Sequence, residues 1–145
     1  PASSEVPLFL LRGLPHLALK PVHTCFDRSE TGSLHEQNPI LLTCQAQAYN
    51  VRVSNPRNES APGAGSELIV THAGKAQVLY RWPQGLRDEP AELTWAGDLD
   101  GDGKLDLLID HSPHSNVGGL TLYLSTLARP GEQVGRAATF KSTGR

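Results

Sequence analysis

Four carboxylates recur at short, regular intervals in Asp98-Leu-Asp-Gly-Asp-Gly-Lys-Leu-Asp106. Asp98, Asp100 and Asp102 stand at positions one, three and five of this run, and Asp106 at position nine. With Asp110 they place five of the chain's 15 acids within thirteen residues. Like charges this close repel unless a cation or solvent separates them. A hard cation such as calcium takes about seven oxygen ligands, many of them carboxylates, in a flexible shell. A short segment supplies them when alternate side chains point inward and the backbone turns sharply. Gly103 falls at position six, where a calcium loop needs its turn, and the carbonyl of Lys104 falls at seven. The expected ligands are Asp98, Asp100, Asp102, the Lys104 backbone carbonyl and Asp106. Asp110 is too far along to join them. Asp and Gly also favour plain turns, but four acids in phase with one required Gly exceed what turn preference supplies.

The loop is not the helix–loop–helix type, which needs a bidentate Glu at position twelve. Here that position is Ile109. The flanks, Ala91-Glu-Leu-Thr-Trp-Ala96 and Leu105-Asp-Leu-Leu-Ile-Asp110, read as strands, so the ion is expected at the bend of a β-hairpin.

The segment Gly97-Asp-Leu-Asp-Gly-Asp-Gly-Lys-Leu-Asp-Leu-Leu-Ile-Asp110 resembles the calcium segment of FG-GAP/VCBS-type repeats, found in integrin α-subunit propeller blades and many secreted bacterial proteins. The resemblance covers about residues 91–125 and implies calcium ligation by the positions matching Asp98, Asp100, Asp102, Lys104 (carbonyl) and Asp106. A propeller needs several such blades, and this chain carries one copy. It is more similar to small, single-motif exported bacterial proteins. What transfers is the metal site and not an activity.

Elsewhere the chain speaks to fold. Its 145 residues suit one domain spanning 1–145, and 38% hydrophobic content is enough for a core. The 14 Gly and 11 Pro punctuate it at short intervals, which favours many short strands. Residues 7–20 read as one or two short extended pieces and residues 26–39 as a loop. Residues 40–53 alternate from Cys44 onward as a half-buried strand. Residues 54–66 are a loop. Glu67-Leu-Ile-Val-Thr-His72 and Gln77-Val-Leu-Tyr-Arg-Trp82 flank Ala73-Gly-Lys-Ala76 as a hairpin. Residues 120–125 and 137–141 supply the last strands. The expected fold is an all-β, single antiparallel domain, a meander closed as a barrel or a sandwich, with the calcium segment inside 91–125.

Cys25 and Cys44 are the two cysteines, an even count compatible with one disulfide. The chain has no Met and opens on a polar Pro1-Ala-Ser-Ser-Glu5. Both are read as a processed or trimmed terminus, left by a removed secretory signal or a cloning boundary. No apolar run is long enough to span a bilayer. The net charge of −2 gives no case for nucleic acid. These features point to an exported chain, periplasmic or extracellular.

Signals for catalysis are absent: no Gly-x-Ser-x-Gly elbow, no His-Glu-x-x-His, no phosphate-binding glycine loop. His111 and His114 form the one close histidine pair, without a third ligand nearby. Trp82, Trp95, Tyr80 and Tyr123 fall on expected strands. Trp95 reads as core and Trp82 as the candidate for exposure on a sugar- or protein-binding face. Asn58-Glu-Ser60 fits a glycosylation acceptor. Three functions are expected, in this order. The first is a calcium-stabilised protein-binding module of the bacterial envelope, such as a periplasmic immunity or inhibitor protein, and not an enzyme. The second is a calcium-dependent carbohydrate-binding module. The third is a carboxylate-dependent hydrolase drawing on Glu67, Glu89 or Glu92.

Overall fold

The structure, a computed structural model, describes residues 22–26, 32–34, 39–54, 65–82, 91–111 and 117–143. They form ten strands and one short 3-10 turn, all pairings antiparallel. The N-terminal extended pieces expected at residues 7–20, the Asn58 acceptor and His114 lie outside the described residues.

The first sheet is built on β7 (Ala91–Asp98), β8 (Asp106–Asp110), β9 (Val117–Leu124) and β10 (Gly135–Thr143), a meander in chain order. On the free side of β7 lie two short strands from earlier in the chain, β1 (His23–Phe26) and β2 (Ser33–Leu34). The second sheet is the meander β3 (Ile40–Cys44), β4 (Gln47–Ser54), β5 (Glu67–His72) and β6 (Lys75–Arg81). Of the two closures expected, the structure adopts the sandwich; the sheets do not join into a barrel.

The core between the sheets follows from strand periodicity. On β4, Tyr49, Val51 and Val53 point inward and are buried, while Asn50, Arg52 and Ser54 between them are partly exposed. Leu68 and Val70 of β5 meet Leu107 and Ile109 of β8 in one apolar cluster. Strand β8 is buried on both faces: Leu108, between two core residues, joins Trp95, Leu122 and Leu124 in a second cluster. Trp95 would share Leu93's face under strict alternation. A bulge between Leu93 and Trp95 inserts Thr94 and turns the indole to the opposite face. Its Nε1 donates to Thr24 Oγ1 at 3.1 Å, tying β7 to β1.

Three expectations need correction. Residues 40–53 are two strands, because Gln45 and Ala46 turn the chain with φ of 51° and 65°. Such a turn normally carries Asn or Gly, so its sequence gives no turn signal. Residues 26–39, expected as loop, include the two residues of β2. Trp82, expected on the surface, is 3% exposed, packed edge-on against Tyr80. The 67–82 hairpin is present, its turn tightened to Ala73 and Gly74.

Cys25 of β1 and Cys44 of β3 form the expected disulfide, with Cα atoms 5.4 Å apart. It joins the two sheets. Closing a loop of this size restricts the unfolded chain by about 3 kcal/mol in the chain-entropy account. Replacing both cysteines with Ser is expected to lower stability by about that amount in urea unfolding at fixed calcium. A loss below about 1 kcal/mol would contradict the entropic reading.

A candidate metal centre at the β7–β8 turn

Asp98 is the last residue of β7 and Asp106 the first of β8, so rigid strands hold the two ends of the acidic loop. The closing pair is Gly97 opposite Asp106. Asp100 and Asp102 ride on the turn between them. Gly101 and Gly103 take φ of 79° and 83°, a region L side chains rarely adopt. That requirement explains why position six had to be Gly.

Backbone amides organise the carboxylates. Asp98 Oδ1 accepts from Gly101 N at 2.9 Å and Asp102 N at 3.1 Å, and its Oδ2 from Gly103 N at 2.8 Å. Asp102 Oδ1 accepts from Lys104 N at 2.9 Å. Asp106 is fully buried. Its Oδ2 accepts from Leu99 N at 2.6 Å, and its Oδ1 from Ser125 N at 2.8 Å and Ser125 Oγ at 3.0 Å. Ser125 Oγ also lies 2.5 Å from Asp102 Oδ2, and Thr126 Oγ1 donates to Asp100 Oδ2 at 2.8 Å. From the other sheet, Gln45 Nε2 donates to Asp98 Oδ2 at 3.0 Å.

The result is one oxygen from each of Asp98, Asp100, Asp102 and Asp106 within 4.8 Å of one another. Oxygens 2.3–2.6 Å from a calcium ion can be no more than about 5 Å apart, so the cluster has the dimensions of a calcium shell. The donor set is all oxygen, without His or Cys, which suits a hard cation and not zinc or copper. Lys104 sits at the turn with its side chain exposed, leaving its carbonyl as the expected fifth contribution. Asp110 stands on β8 outside this group, as expected.

Crowding shows in the acidities. Burial pushes the Asp106 carboxyl up to about 7, with the Asp100 charge adding and the Ser125 and Leu99 donors opposing. Burial likewise raises Asp100, helped by the Asp102 charge. Burial alone would raise Asp102, but the Ser125 hydroxyl, the Lys104 amide and Asp100 outweigh it and lower it. Without metal, burial therefore favours the protonated form of Asp106.

This sets a pH dependence. Between about pH 4 and 7 the folded metal-free protein keeps the Asp106 proton that the unfolded chain has released. Native protein then binds more protons than unfolded, so this carboxyl makes stability fall as pH rises through that window. Calcium-stripped protein is expected to gain thermal stability from pH 7.5 to 5.5, and calcium-loaded protein to lose it as protons displace the ion. Parallel trends in the two forms would contradict this.

The other residues singled out in the sequence are placed elsewhere. His111 is buried, stacked on Tyr80 at 4.0 Å with Nε2 at 3.2 Å from Tyr123 Oη. Tyr123 is buried too. Glu67 is paired with Arg81, Glu92 is exposed on β7, and Glu89 is not among the described residues. His23 lies near Cys25 and Cys44, but the two sulfurs are bonded to each other. Gln45, Ser125 and Thr126 were missed. They reach the loop from 19 to 53 residues away, and no local pattern marks them. A cavity of about 560 Å³ adjoins the loop, lined in part by Tyr49, His72, Lys75, Asp102 and Ser125.

Comparison with protein-family models, curated proteins and solved structures gave no match to this chain. The functional reading rests on the site.

Proposed function

We propose that this chain is a calcium-stabilised binding module of an exported protein, with Asp98, Asp100, Asp102, the Lys104 carbonyl and Asp106 as the calcium ligands. The observation that carries it is the convergence of four carboxylates at one hairpin turn, held by donors from both sheets. The strand flanks and the buried Ile109 at position twelve speak against the helix–loop–helix type and support the FG-GAP/VCBS-type reading of the loop. The ion's role is structural: it neutralises the turn and adds its binding free energy to folding. A dissociation constant of roughly 10⁻⁴–10⁻³ M would match extracellular modules and the calcium of an extracytoplasmic space. The inter-sheet disulfide supports the same oxidising location, and no described helix is long and apolar enough to cross a membrane.

Within that class the module binds a protein partner of the envelope. One observation favours the carbohydrate alternative: the cavity beside the loop has Asp102 and the stacked Tyr49–His72 pair in its walls. Against it, Trp82, the ring expected to offer a stacking face, is buried. Native mass spectrometry after exchange into calcium, magnesium or chelator tests the metal reading. One retained calcium per chain, and no magnesium, is expected; equal retention of both would contradict it. Saccharide calorimetry and envelope-fraction capture, each with and without calcium, then separate the two binding readings.

A further inference from the structure

The metal loop and the disulfide are joined by a very short path. Cys44 ends β3, and the next residue is Gln45, whose Nε2 donates to Asp98 Oδ2 at 3.0 Å. On the other side, Cys25 belongs to β1, whose His23 and Thr24 pair with Asp98 and Gly97 at the very end of β7. Both halves of the bridge therefore stand within two residues of a group that fixes Asp98, the start of the loop, which also accepts three backbone amides from the turn. Gln45 also occupies a position that its residue type disfavours. Its φ is 51° and that of Ala46 is 65°, where Asn and Gly are the usual occupants. A long amide at a left-handed turn position, aimed at a buried carboxylate of the loop, is what a positioning role requires and what turn formation alone does not.

We propose that Gln45 and the Cys25–Cys44 bridge are positioning elements of the calcium site, so that calcium affinity and the redox state of the bridge are reciprocally linked. This rests on the metal reading above. With the bridge closed, the β3–β4 turn is pinned against β1 and β7, and Gln45 holds Asp98 in its ligating orientation. A dithiol reductant breaks the S–S bond, supplying two electrons as two Cys thiols take up two protons and the reductant closes to its own disulfide. The turn is then tethered only by strand pairing, and the ordering of Asp98 must be supplied by the ion itself. A hydrogen bond to a charged acceptor is strong enough for its loss to weaken binding about tenfold. By linkage calcium must make the bridge harder to reduce by the same factor, which for a two-electron couple is about 30 mV.

The test is calcium calorimetry on oxidised wild type, on Gln45→Gly with the bridge intact, on Cys25→Ser/Cys44→Ser, and on the triple variant, with far-UV circular dichroism as a check of folding. Gly suits a positive φ better than Gln. Gln45→Gly is therefore expected to leave the metal-free protein as stable as wild type or more so, while binding calcium about tenfold more weakly. A merely structural role for Gln45 would move stability and affinity in the same direction. The double Cys variant is expected to lose a similar factor, and the triple variant little more. Equilibration with dithiothreitol, with and without calcium, should show the reciprocal shift in wild type and not in Gln45→Gly. Should the Cys variants not fold, the Gln45→Gly affinity and this redox comparison decide. Calcium affinity in Gln45→Gly within twofold of wild type, or a redox midpoint indifferent to calcium, overturns the proposal and leaves the metal reading standing. Absence of calcium binding by oxidised wild type removes both.

Discussion

Stripping calcium is expected to lower the thermal unfolding midpoint by about 10 °C. At free calcium a hundredfold above the dissociation constant, ligand binding to the folded state alone contributes about 2.7 kcal/mol. A domain of this size shifts its midpoint by roughly 3–4 °C per kcal/mol. The source of the effect is local. Two of the four carboxylates, Asp100 and Asp106, have their pKa values raised by burial and by neighbouring charge, so the metal-free loop is held at a cost that a bound cation would remove. Asp100→Ala is expected to abolish the calcium response while leaving stripped protein near wild-type stability or slightly above it. Asp100 is half-buried, and its hydrogen-bonded contacts at Oδ1 and Oδ2 are exposed. Differential scanning calorimetry in calcium, magnesium and chelator reads both effects. A midpoint that moves equally with magnesium would point to general charge screening.

Asp106→Ala is expected to be the most damaging single change in the loop, and to be so with or without calcium. Asp106 is fully buried and receives the Leu99 and Ser125 amides together with the Ser125 hydroxyl. Truncation strands the two amides, while the Ser125 hydroxyl keeps Asp102 Oδ2, at about 1–3 kcal/mol for each buried unsatisfied group. A loss of about 3–4 kcal/mol in chelator is the expected sum, and no calcium response remains. Asp106→Asn keeps the shape but only one carbonyl acceptor, so its amide N–H groups face either the Leu99 or the Ser125 donor. It should cost about 1–3 kcal/mol in stripped protein, less than Asp106→Ala. It should also erase the gain in stability from pH 7.5 to 5.5. Guanidinium unfolding of the three proteins in chelator measures this. If Asp106→Ala in chelator matches wild type, the hydrogen-bonded account of the loop is wrong.

What was legible from the residues, and what was not, divides on physical lines. The candidate ligands follow a local rule: alternate carboxylates around a Gly that must take positive φ. Their positions could therefore be read from nine consecutive residues. Strands β5 to β8 are β-rich runs, and the turns at Ala73–Gly74 and at the acidic loop carry Gly, so they too were legible. The hairpin at Gln45–Ala46 was not, because its left-handed residues are ones that turn chemistry disfavours. Trp82 was misplaced because its burial draws on a partner outside its local sequence, His111, whose ring lies edge-on to the indole as that of Tyr80 does. Gln45 and Ser125 reach the loop only through the pairing of strands distant in sequence, and nothing in a local window encodes that. The disulfide was inferable as a pairing, but its place beside the metal loop was not.

Binding of one calcium ion at Asp98–Asp106 is tested by a calorimetric titration of calcium into stripped protein in the presence of millimolar magnesium. A single site is expected, selective for calcium and lost in Asp100→Ala. A titration without saturable heat in wild type, or one unchanged by Asp100→Ala, would mean that the acidic run is a hydrogen-bonded turn and that the ion belongs elsewhere or nowhere.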